Sequence, residues 1–193
     1  LPFEAHIIKK IGQNHIRIKT ISNNFSNTLL ELTPTEIASL SKTRAYFNFS
    51  LSSEKKYEQL FFKTNSKLNS VNMSKNIKKL TYKGKENPYV WFDPILLRDV
   101  AKNIYDALVK IDSFNKASYE KNYENFLLEL DESFLKTKRK LAQSEIYNIF
   151  VFDEKFDYFA KRFKINIYRK EKRILSASEI KPLIQEVEVN EIK

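Results

Sequence analysis

Large apolar side chains recur every three or four positions from Tyr119 to Phe134, through Tyr123, Phe126, Leu127 and Leu130. Glu120, Lys121, Glu124, Glu129, Asp131 and Lys138 fall mostly between them. That period lines one face of an α-helix, so Lys116 to Leu141 is predicted to be a single amphipathic helix. At 1.5 Å per residue, roughly 26 residues span about 39 Å, close to the width of a small domain. The stripe fades after Phe134, short of the three or four heptads a coiled coil requires. A rigid strut between two lobes is the economical reading, with a coiled-coil arm or an ordinary long core helix as alternatives.

The same reasoning orders the rest of the chain. Ala5, Ile7, Ile8 and Ile11 share a helix face, with Gly12 expected as the C-terminal stop. His15 to Ile21 alternates apolar and polar residues, which predicts a short strand, and Ser22 to Thr28 reads as a polar loop. Thr33 with Glu36 has capping-box spacing and Pro34 sits at the first helical position, predicting a helix through Leu40. Arg44 to Ser50 and Leu68 to Met73 are strand candidates, separated by a helix over Glu54 to Phe62 that turns Tyr57, Leu60 and Phe61 inward. TYKGKE, with Gly84, reads as a turn or exposed loop. Asp93-Pro94 starts a further helix that buries Leu97, Val100, Ala101, Ile104, Ala107 and Leu108. Beyond the long helix, Ile146 to Phe152 and Ile165 to Tyr168 predict two strands flanking a helix with Phe156, Phe159, Ala160 and Phe163, a βαβ unit with Asp153 placed to cap the helix. Ser176 and Glu179 form another capping-box pair.

Composition narrows the function classes. The chain of 193 residues is 42% hydrophobic, with 15 Phe and 10 Tyr against 2 Gly and 5 Pro, which suits a globular protein with an aromatic core. With no cysteine there are no disulfides, thiolate metal sites or cysteine nucleophiles. No run reaches the roughly 18 apolar residues of a membrane span, and the first residues lack a signal-peptide pattern. The net charge of +10 makes nucleic acid or an anionic surface a candidate partner, but the lysines are spread along the whole chain. Lys136 to Lys140 and Tyr168 to Arg173 are the densest clusters, and neither has the pattern of an RNA-recognition strand. No carboxylate pair, phosphate loop or nucleophile elbow supports an enzyme. His6 and His15 stand alone, without a second ligand in pattern.

LELTPTEIASLSK (Leu30 to Lys42), NPYVWFDPILLRDVAKNIYDALVKID (Asn87 to Asp112), the long helix and FDEKFDYFAKRFKI (Phe152 to Ile165) together resemble the cluster A-I substrate-binding proteins of bacterial ABC transporters. Those proteins deliver zinc or manganese. The resemblance implies an α/β fold of two small lobes with parallel sheets joined by one long helix: an N-terminal lobe over 1–115, a linking helix over 116–142 and a C-terminal lobe over 143–193, incomplete relative to the family. It implies a periplasmic or surface-anchored protein that works with an ABC permease, as a monomer that carries a divalent metal as cargo.

The family's metal-binding histidines correspond by resemblance to Thr28, Tyr89 and Asp153, none of them histidine here. Its fourth ligand, usually an acid, is expected beyond Lys193. Zinc prefers imidazole, thiolate and carboxylate in a tetrahedral shell, so a hydroxyl, a phenol and one carboxylate make a poor zinc site. Manganese or calcium wants more oxygen ligands than these three supply. The expectation is therefore a metal-type solute-binding component, or a divergent relative with a degenerate site that binds zinc or manganese weakly or not at all. The alternative is a basic adaptor or nucleic-acid-binding protein that binds no metal. Taken alone, Asp153 reads equally as a helix cap, and Tyr89 as a packed aromatic.

Overall fold

The computed structural model describes residues 2–21, 33–170, 176–190 and 192. The chain divides into two compact units, Leu1–Ile77 with Arg98–Glu129, and Lys78–Leu97 with Leu130–Lys193. The helix expected from the apolar stripe is continuous over Lys116–Ser144 (α5), and it contributes residues to both units.

In the first unit, α1 (Pro2–Gly12) buries Ile7, Ile8 and Ile11. Asn122 on α5 donates its side-chain amide to the Ile11 carbonyl at 3.0 Å. α1 ends at Gly12 as expected, but Gly12 itself is right-handed, and Gln13 takes the positive φ of 44°. A Cβ at position 12 would meet Ile16 Cδ1 at 2.0 Å and Cγ1 at 2.5 Å, so any other residue there requires the Ile16 side chain to shift. The strand expected over His15 to Ile21 is absent: Ile16 is extended and alternate residues are shielded, but no ladder forms among the described residues. The polar loop expected over Ser22 to Thr28 lies outside the described residues.

α2 (Pro34–Leu40) starts on the predicted capping box, with Thr33 Oγ1 accepting from Glu36 N and the Glu36 carboxylate accepting from Thr33 N. β1 (Ala45–Asn48), α3 (Ser52–Thr64) and β2 (Asn69–Asn72) form a parallel βαβ unit, in register from Ala45 opposite Asn69 to Asn48 opposite Asn72. Leu40, Tyr57, Phe61 and Leu68 make its core, with Tyr46 standing edge-on to Phe61. Leu60, expected to face inward, is 37% exposed, because the inward stripe of α3 runs through Tyr57 and Phe61 one turn apart. α4 (Leu96–Ile111) buries Val100, Ala101, Ile104 and Leu108, and its Asn103 donates to the carbonyls of Met73 and Lys75 just beyond β2.

In the second unit, TYKGKE is more than a loop. β3 (Thr81–Tyr82) and β4 (Lys85–Glu86) form a two-residue hairpin, with Lys83 and Gly84 at φ 49° and 74°, the left-handed pair a type I′ turn requires. β5 (Asn148–Val151), α6 (Asp157–Phe163) and β6 (Asn166–Arg169) form the expected βαβ unit, with parallel register from Asn148 opposite Asn166. α7 (Ala177–Val189) begins on the Ser176–Glu179 capping box. Residues 78–97, placed with the first lobe by sequence, pack within the second unit. Tyr158 of α6, 3% exposed, accepts from Leu80 N at 2.9 Å and donates to the Asn87 carbonyl at 2.8 Å. Arg162 Nε donates to both oxygens of buried Asp93 at 2.8 and 2.9 Å.

Candidate functional site

The site is assembled around Asn87, which is 1% exposed. Its Oδ1 accepts from Tyr89 N at 2.9 Å, fixing the turn that presents Tyr89. Its Nδ2 donates to the Glu154 carbonyl at 2.7 Å and to Asp157 Oδ2 at 3.2 Å. Its backbone N–H donates to the Leu80 carbonyl at 2.7 Å, and its own carbonyl takes the Tyr158 hydroxyl. One buried amide, with every polar group used, therefore clamps residues 87–89 to residues 154–158. After Tyr89 the chain makes a 3-10 turn over Val90–Phe92, and Asp93 Oδ1 accepts from Ile95 N at the start of α4.

Of the three expected site positions, Tyr89 and Asp153 are thus brought together in one unit, and Thr28 lies outside the described residues. Tyr89 packs edge-on to Trp91 at 5.3 Å and to Phe92 at 6.4 Å, and Phe92 continues the row to Phe156 at 5.2 Å. Burial, with the charges of Glu154 and Asp153 adding to it and Lys155 opposing it, pushes the Tyr89 phenol up from its ordinary value. The group is a neutral hydroxyl at any physiological pH, which makes it a weak metal donor.

Asp153 does not cap α6 as the sequence suggested. The residue before α6 is Phe156, and the Asp153 carboxylate turns to Lys155 instead. Oδ1 accepts from Lys155 N at 3.1 Å, and Oδ2 pairs with Lys155 Nζ at 3.0 Å. The three residues between Asp153 and α6 place it too far from the helix's first free N–H groups to serve them. The hydrogen bond that Lys155 donates to Asp153, together with the charges of Asp153, Tyr89 and Glu154, pushes the Lys155 ammonium up, so it stays charged.

Asn87 and Lys155 are the two residues that sequence reasoning missed. Lys155 has a local signal, since a lysine two residues after an aspartate can fold back on it, but Asn87 acts on partners 67 and 70 positions away and has none. Among the described residues, no group of three or more His, Asp or Glu is arranged to hold a metal ion. His6 and His15 are exposed, and His15 stands edge-on to Tyr119 at 5.9 Å. A separate open groove of about 480 Å³ is lined by Tyr82, Asp157, Lys161, Asn166 and Arg169. Its arginine is already engaged, paired with Asp157 and stacked over Tyr82 at 4.5 Å.

Similarity to known proteins meets this geometry at the level of the whole fold. The family model described as ZnuA, zinc-uptake complex component A, periplasmic, matches residues 2–193. The high-affinity zinc uptake system protein ZnuA of Bacillus subtilis (strain 168) is 34% identical over 80 residues, 40% of this chain and 24% of that protein. The metal ABC transporter substrate-binding lipoprotein SloC of Streptococcus mutans serotype c is 33% identical over 85 residues, 43% of this chain and 28% of that protein. The chain therefore matches only about a quarter of the length of each of these relatives. A crystal structure of ZnuA superposes with a TM-score of 0.84 at 25% identity, covering 99% of this chain and 76% of that one. The fold is that of these metal-binding proteins, and the chain belongs to the ZnuA family of periplasmic zinc-uptake components.

Proposed function

We propose that this chain is the solute-binding component of a metal-type ABC transporter, in a divergent form whose metal site has degenerated. On this reading Thr28, Tyr89 and Asp153 stand at the family's three histidine positions, an ABC permease is the partner, and the protein works in the periplasm or anchored at the cell surface. Family membership supports the transport class. The loss of tight metal binding is supported by one observation: both oxygens of the Asp153 carboxylate are already engaged by Lys155, one by its N–H and one by its ammonium. A site with a phenol, a hydroxyl and a lysine-paired carboxylate offers zinc no imidazole, and it offers manganese too few oxygens.

Calorimetric titration of the chain with Zn²⁺ and Mn²⁺ tests this. The expected result is no stoichiometric uptake in the submicromolar range. Stoichiometric, submicromolar uptake lost in Asp153→Ala would overturn it.

A further inference from the structure

We propose that Lys155 is a tethered counter-ion that occupies the place of a cargo cation at Asp153, and that it sets this half-site against divalent metals. The proposal rests on the reading that Tyr89 and Asp153 occupy family ligand positions, and it adds a specificity-determining residue to them.

Residue 155 engages both oxygens of one carboxylate. Its backbone N–H lies 3.1 Å from Asp153 Oδ1, and its ammonium lies 3.0 Å from Oδ2. The segment carrying them is not free to swing away, because Asn87 holds the Glu154 carbonyl between them at 2.7 Å and holds Tyr89 N at 2.9 Å through the same side chain. A divalent ion approaching Asp153 therefore meets a tethered positive charge, 3.0 Å from Oδ2. Without Lys155 the local charge of Asp153, Glu154 and neutral Tyr89 is two negative; with it, the balance is one negative.

The lysine side chain is 41% exposed, so it is a charge that can be displaced rather than a plug. At that exposure the ion pair adds little to folding stability. Its repulsion of a doubly charged ion at close range is still of the order of tenfold in affinity at low salt. A role in specificity and an ordinary surface ion pair thus differ in what they move: the first changes metal affinity and leaves stability alone.

The experiment compares the unaltered chain with Lys155→Gln, Lys155→Met and Lys155→Arg at low ionic strength. Affinities for Mn²⁺ and Zn²⁺ are read by competition with a fluorescent chelator, and the site is located by paramagnetic broadening of the Tyr89 ring resonances by Mn²⁺. The two uncharged variants are expected to bind about tenfold more tightly than the unaltered chain, with broadening at Tyr89 at correspondingly lower Mn²⁺, and the gain should shrink as salt is raised. Lys155→Arg should match the unaltered chain, and all four melting temperatures should agree within about two degrees. No gain in either uncharged variant, or an equal gain in Lys155→Arg, overturns the role of Lys155. Tight binding by the unaltered chain would instead overturn the degenerate-site reading, so the two failures are told apart.

Discussion

Asn87 shows how much can hang on one side chain. Its amide joins Tyr89, Glu154 and Asp157, and Asn87→Ala is expected to lower stability by about 2–3 kcal/mol, because it leaves buried donors and acceptors unmet. Chemical denaturation measures this. Tyr158→Phe is a smaller cut at the same joint, removing one hydroxyl that serves Leu80 N and the Asn87 carbonyl, and should cost about 1–3 kcal/mol. In the other unit, burial, with a smaller contribution from the neighbouring Glu54 carboxylate, pushes the Glu4 carboxyl up to about 7. Glu54 is itself raised by burial, against the N–H groups of Leu51 and Phe49 that donate to it. A carboxyl whose folded pKa lies above its unfolded value of 4.5 favours folding below that value, and this contribution is lost as pH rises through about 7. Melting temperatures measured from pH 5 to pH 8 should therefore fall in the unaltered chain relative to Glu4→Gln, which carries no such titration. A constant gap across that range would contradict the assignment.

At the scale of elements, the sequence was most legible where the determining signal is local. The Thr33–Glu36 and Ser176–Glu179 capping boxes begin helices as their spacing implies, since each closes its hydrogen bonds within four residues. The stripe of α5 is long enough to outvote its mixed polar positions. The misses have physical causes. Two-residue strands carry no alternation to detect, so the β3–β4 hairpin was visible only through Gly84. Residues 16–21 keep the alternating exposure of a strand, yet pattern alone supplies no partner for a ladder. The hairpin gives a direct check. Gly84 has φ of +74° and open space around its Cα, so Gly84→Ala meets no clash and carries only the backbone cost, about 1 kcal/mol by denaturation. The Arg162–Asp93 contact joins α6 to the segment before α4, and its participants are 69 residues apart, beyond any reading of spacing.

For the whole molecule, two parallel βαβ units, one in each compact unit, and a 29-residue helix shared by both are the frame of the ZnuA family. Resemblance in the helix-start and NPYVWFDP segments disclosed that frame, while the state of the site depended on contacts that only the folded chain supplies: a clamped Tyr89 and an Asp153 turned to Lys155. The net charge of +10 leaves nucleic acid as a competing partner, and salt separates the two readings, since loading of a solute site does not weaken steeply with it. Binding dominated by phosphate contacts weakens steeply and linearly in log salt, so oligonucleotide affinity that falls in that way would mark the rival reading, and no oligonucleotide binding is expected at physiological salt. The central claim is that the family frame persists here without a working metal site, and calorimetric titration of the chain with Zn²⁺ tests it most directly. The account predicts no saturable heat at submicromolar zinc. One equivalent of zinc taken up with submicromolar affinity, and lost in Asp153→Ala, would contradict it.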